Sequence, residues 1–79
     1  MTIQEKQTAI NKNIAKISAF EPSEFNKDSH LANDLDLDSL DALELAMYLE
    51  KELKIVIPDD TLEGWETVED VYRTCEAIE

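Results

Sequence analysis

The 79-residue sequence predicts an all-α fold: a small four-helix bundle, three longer helices plus one short helix, with a long loop between the first and second helices. Three observations lead there. Apolar residues recur at helical steps in three stretches, both prolines fall between those stretches, and the single β-branched run has no second strand to pair with. A chain of this length fits one domain, spanning 1–79.

Ile3, Ile10, Ile14 and Ile17 follow at steps of seven, four and three, so they share one face of a first helix over about 3–17. Periodicity then lapses to Asp38. Pro22, Ser23, Asn26, Ser29 and Asn33 are turn formers, while Phe20, Phe25, Leu31, Leu35 and Leu37 are apolar residues that would pack such a long loop down onto the helices.

The second helix is predicted from Ser39 to Leu53. Ala42, Leu45, Ala46, Leu49 and Leu53 fill one arc, and Leu40, Leu43 and Met47 form a second stripe beside it. So wide an apolar face predicts the central member of the bundle. "KIVIP" at 54–58 reads as an extended connector ended by Pro58, and "DDTLEGW" as one helical turn stopped by Gly64, the chain's single glycine. Thr67 caps a last helix with Asp70 in the capping-box place, and Val68, Val71, Tyr72, Cys75 and Ile78 supply its buried face.

Charge narrows the function classes. Asp and Glu number 19 against 7 Lys and Arg, a net charge of −12, and no Lys or Arg occurs between residues 28 and 50. Such a chain repels nucleic-acid phosphates and anionic membranes, so neither is an expected partner; basic protein surfaces are. A lone cysteine, Cys75, excludes an intrachain disulfide and reads as a small core residue. The start of the chain lacks a signal peptide's apolar run, and "LAMYL" at 45–49 is too short to insert in a bilayer, which leads us to expect a cytoplasmic protein.

"DLDLDSLDAL" at 34–43 crowds acids about one hydroxyl. Asp34, Asp36 and Asp38 match the first ligand positions of a calcium-binding EF-hand loop. The later positions fail: Ser39 stands where the turn glycine belongs and Leu45 where the closing glutamate belongs, so no specific metal site is expected. Helix capping accounts for Asp38 and Asp41 but not for Asp34, Asp36 or Glu44. Capping also leaves Ser39 at the first helical position with its hydroxyl facing water, where unpaired N–H groups would welcome a phosphate ester. With His30 the sole histidine, no nucleophile, base and orienting group can be assembled. No catalytic residue is predicted, and Ser39 reads as a substrate for an outside transferase.

The stretch "DLDLDSLDALELAMYLEKELKIVIP", within 31–58, resembles the central segment of acyl carrier proteins: Asp-Ser-Leu, then Asp, Glu-Leu, a methionine-bearing helix and Ile-Pro. The resemblance implies a four-helix bundle whose Ser39 carries covalent 4'-phosphopantetheine, placed there by a phosphopantetheinyl transferase. The arm's thiol would hold acyl groups as thioesters for acyl-transferring and chain-elongating enzymes with basic docking patches. It further implies a monomer, with Asp38, Leu40, Asp41, Glu44, Met47 and Glu50 for partner recognition and Leu43, Met47, Ile57 and Leu62 bordering an acyl-chain cleft. Leu43 and Met47 have an equal alternative as ordinary core. Many fatty-acid carriers have glycine just before Asp-Ser-Leu where this chain has Asp36 and Leu37, so fatty-acid, polyketide and specialised lipid pathways all stay open. An aminoacyl or peptidyl carrier, or an unmodified acidic interaction module, are the competing classes.

Overall fold

A computed structural model describes residues 2–78. Three α-helices, α1 (Ile3–Ser18), α2 (Ser39–Leu53) and α3 (Val68–Ala77), are joined by two 3₁₀ segments, Pro22–Glu24 and Asp59–Gly64, and no strand occurs among the described residues. The four-helix bundle is thus three longer helices and the short 3₁₀ helix at 59–64.

Each α-helix begins with a reciprocal capping box. Thr2 and Glu5 close α1, Asp38 and Asp41 close α2, and Thr67 and Asp70 close α3. In each, two backbone N–H groups that lack intrahelical acceptors are satisfied by side chains. Two helices end on residues in the left-handed region, Ala19 (φ 66°) and Lys54 (φ 56°). The predicted glycine stop does not follow that pattern: Gly64 is the last residue of the 3₁₀ helix, and no glycine has positive φ.

Ile10 and Ile14 are fully buried, whereas Ile3, at the start of α1, is 57% exposed. The central helix is α1, not α2. It packs closely against both α2 and α3, while α2 packs against α1 and the 59–64 helix. Leu45, Ala46 and Leu49 carry the burial of α2, and its second apolar stripe stays in solvent: Leu40, Leu43 and Met47 are all exposed.

The long 19–38 loop holds its shape as its apolar residues require. Phe25, Leu31, Leu35 and Leu37 are buried in the core, with Phe20 alone left at the surface. Backbone bonds also tie the loop to the entrance of α3. Leu31 N–H donates to Glu66 O (2.8 Å), Val68 N–H to Ser29 O (3.1 Å) and Glu69 N–H to Lys27 O (2.9 Å), around an isolated antiparallel bridge between His30 and Thr67. The connector after α2 alternates as an extended segment does, with Ile55 and Ile57 buried and Val56 exposed. The far end of α3 is held from α1, where Lys6 Nζ donates to the carbonyls of Cys75 (3.0 Å) and Ile78 (3.1 Å).

Candidate functional site

Ser39 is the first residue of α2 and is solvent-exposed. Its place is fixed by the capping box around it. Asp38 Oδ1 accepts the N–H of Asp41 (2.9 Å), and Asp41 Oδ2 accepts the N–H of Asp38 (3.1 Å). One oxygen of each acid is thereby committed to the helix start; Asp38 remains exposed to solvent and Asp41 is half-buried. The N–H groups of Ser39 and Leu40 belong to the first turn, where no intrahelical carbonyl reaches them and the helix dipole is positive.

The loop before Ser39 is shaped by its own polar groups. Asp34 Oδ2 accepts the N–H of His30 (2.6 Å), and His30 Nδ1 accepts the N–H groups of Ala32 and Asn33, both at 3.2 Å. His30 is therefore a loop-building residue. Asp36 holds φ 56° between buried Leu35 and Leu37. No group of three or more His, Cys, Asp or Glu stands in a metal-holding arrangement among the described residues.

Two cavities open beside Ser39. One, of about 300 Å³, runs inward between α2 and the loop and is walled by Leu31, Leu37, Ala42, Leu45, Leu62 and Trp65. The other, about 410 Å³, lies between α2 and the 59–64 helix, with Leu40, Leu43, Asp59 and Leu62 on its walls. Ser39, Ala42, Leu62 and Glu63 line both. The serine thus sits where a tethered group could be sheltered on either side of Leu62.

The residues singled out in the sequence divide into three sets. Asp38, Leu40, Glu44 and Met47 lie exposed on or next to α2, Leu40 at 74% and Met47 at 60%, with Asp41 half-buried in its first turn. Leu43 and Leu62 line a cavity beside the serine, and the 41% exposure of Leu43 decides against the core alternative for it, as the position of Met47 does for Met47. Ile57 and Glu50 stand apart. Ile57 belongs to the core cluster and lines neither cavity, and exposed Met47, also expected at the acyl-chain cleft, lines neither as well. Glu50 is half-buried, and its Oε2 accepts the N–H of Ile57 (2.9 Å), latching the connector to α2.

Pattern reading missed Leu31, Leu37 and Trp65 as cavity walls. Trp65 also packs the bundle: it is 9% exposed and its indole N–H donates to Thr74 Oγ1 (2.9 Å). The only signal for the loop leucines was their apolar character so close to the acidic run. Cys75 is fully buried on α3, and burial pushes its thiol up to about 11, far from a reactive thiolate at neutral pH.

An exposed serine at a helix start with apolar cavities beside it is a place where a tethered group could be borne. The comparisons with known proteins agree. The phosphopantetheine attachment site family matches residues 9–75. The meromycolate extension acyl carrier protein of Mycobacterium tuberculosis (strain ATCC 25618 / H37Rv) is 34% identical over 79 residues, covering all of this chain and 69% of that protein. An acyl carrier protein of Prochlorococcus marinus is 47% identical over 57 residues (72% of this chain, 71% of that protein), and one of Rhodococcus erythropolis 31% over 78 residues (99% and 86%). The chain belongs to the acyl carrier protein family, whose cofactor is covalent 4'-phosphopantetheine.

Members of this family are carriers and not themselves catalysts, and they work with a phosphopantetheinyl transferase and acyl-handling enzymes. The residues at the site fit the group. Ser39 offers an exposed oxygen, the first turn of α2 offers N–H groups toward a phosphodiester, and the adjoining walls are apolar enough to take an acyl chain.

Proposed function

We propose that Ser39 Oγ is the attachment point and that the chain carries acyl groups for lipid-building enzymes. In the loading step a transferase brings coenzyme A to the serine. The Oγ–phosphorus bond forms, the pyrophosphate bond of coenzyme A breaks, the adenosine bisphosphate half leaves, and the serine proton passes to a base of the transferase. The bound arm supplies a terminal thiol on which acyl groups are held as thioesters. This chain's residues then do two things: Leu43, Leu62 and the walls of the inner cavity shelter the acyl chain, while Asp38, Leu40, Asp41, Glu44 and Met47 present an acidic and apolar face to basic docking patches on partners.

The observation that carries this reading is the exposed hydroxyl of Ser39 at the shared mouth of two apolar cavities. Exposed ion pairs contribute about 0–1 kcal/mol each, so docking through several of them is fast to form and fast to release, as a shuttle requires. The relatives named for meromycolate extension support cargo bound for lipid chain extension rather than for peptide assembly. A cytoplasmic monomer is the form we expect; no helix among the described residues is long and apolar enough to cross a membrane.

Intact-mass spectrometry after incubation with coenzyme A and a broad-specificity phosphopantetheinyl transferase tests the assignment. One phosphopantetheine increment is expected on the wild-type chain and none on Ser39→Ala. A wild-type chain left unmodified would make it an acidic interaction module, and an increment that survives Ser39→Ala would place the arm elsewhere.

A further inference from the structure

The exposed face of α2 contains one contact that neither charge nor family membership explains. Leu40, Leu43, Glu44, Met47 and Tyr48 fall on one side of the helix at steps of three and four, with Glu44 in their midst. The Tyr48 hydroxyl donates to Glu44 Oε1 at 2.9 Å. From the other side, Lys16 Nζ of α1 lies 5.5 Å from the centre of the Tyr48 ring, within cation–π range. Glu44 is thus held at its carboxylate by a phenol that is itself held to a second helix. The phenol registers the contact, since its hydrogen bond to Glu44 and the nearby carboxylate charge both raise its pKa above the ordinary 10.0.

An exposed glutamate normally samples many rotamers and must be immobilised when a partner binds it, which weakens association. A carboxylate accepts through two oxygens, so Oε2 and the remaining lone pair of Oε1 stay available to a lysine or arginine. We infer that Tyr48 is a positioning residue for partner docking: its hydroxyl holds Glu44 in the orientation that a basic partner surface meets, and Lys16 steadies the ring from α1. This rests on the reading that α2 receives the partners. It assigns the role to the hydroxyl, not the ring, so Tyr48→Phe removes the donor while keeping the aromatic surface and the Lys16 contact.

Steady-state phosphopantetheine transfer from coenzyme A, with the carrier as varied substrate of a broad-specificity transferase, separates the possibilities. Tyr48→Phe is expected to raise the KM for the carrier roughly three- to tenfold with kcat unchanged, the range set by ordering one long side chain. Glu44→Gln should raise KM as well, and adding Tyr48→Phe to it should have little further effect, because the two side chains act as one unit. Independently of activity, NMR titration of ring-labelled tyrosine should show the Tyr48 phenol moving down in pKa in Glu44→Gln. A Tyr48→Phe KM equal to wild type beside a raised Glu44→Gln KM overturns the positioning role and leaves docking through α2 standing. An unchanged Glu44→Gln KM removes both, and a wild-type chain that accepts no phosphopantetheine removes the carrier reading itself.

Discussion

Asp36 holds its backbone at φ 56°, a conformation that L-residues adopt at a cost and glycine adopts freely. It lies three residues before Ser39, just ahead of Asp-Ser-Leu, where many fatty-acid carriers have glycine. The left-handed region costs an ordinary L-residue roughly 1–2 kcal/mol, somewhat less for aspartate, whose short side chain tolerates it. Asp36→Gly is therefore expected to raise the melting temperature modestly, the relief being partly offset by glycine's greater chain entropy. Asp36→Val, with a branched Cβ, should lose at least about 1–2 kcal/mol. Asp36→Asn removes the charge while keeping the tolerance, so it isolates the electrostatic part. Urea denaturation of the three variants checks the order; a valine variant as stable as wild type would mean that the strain lies elsewhere in the loop.

The entrance of α3 is the joint between an element and the loop that positions the serine. Asp70 Oδ2 accepts the N–H groups of Glu66 and Thr67, both at 2.9 Å, on the segment whose Glu66 carbonyl accepts from Leu31. Burial alone would raise the carboxyl of Asp70, but the hydrogen bonds from Thr67 and Glu66 outweigh it and hold the pKa below the ordinary 3.8. A carboxyl whose pKa is lowered by folding contributes its full stability above the unfolded value and loses it as pH falls through the folded one. Asp70→Asn should accordingly be less stable than wild type at neutral pH, and the gap should close below about pH 3.8 in a series of thermal melts; a gap independent of pH would sink the assignment. This capping box was legible in the sequence because Thr67 and Asp70 are three residues apart, as were the box around Ser39 and the bounds of α2. The central place of α1 was not, since the width of an apolar face does not say which part of it a neighbour covers. Nor were the roles of Glu50, Leu31 and Trp65, which depend on contacts between segments that local periodicity cannot see.

At the scale of the molecule, charge is the dominant unbalanced quantity. The net charge of −12 is confined within extents of 29 × 25 × 18 Å, so most carboxylates lie within a low-salt screening length of one another. The cations relieve little of this. Lys6 is engaged with carbonyls of α3, Lys16 lies over the Tyr48 ring, and the one ion pair among the described residues, Arg73 with Glu69, is far along the chain from the acidic stretch at 28–50. Raising ionic strength from about 0.01 M to about 0.15 M shortens the screening length from about 30 Å to about 8 Å, which should relieve the self-repulsion and raise the melting temperature. The same screening weakens attraction to a basic partner, so the KM for the transferase should rise over the same range. One cause then moves two observables in ways that oppose each other for the carrier: salt makes the fold firmer and the docking poorer. Scanning calorimetry and transfer kinetics on the same salt series test the pair together. A melting temperature that ignores salt would show the repulsion to be negligible, and a KM that ignores it would mean that partners recognise α2 by the apolar residues Leu40 and Met47 and not by its acids.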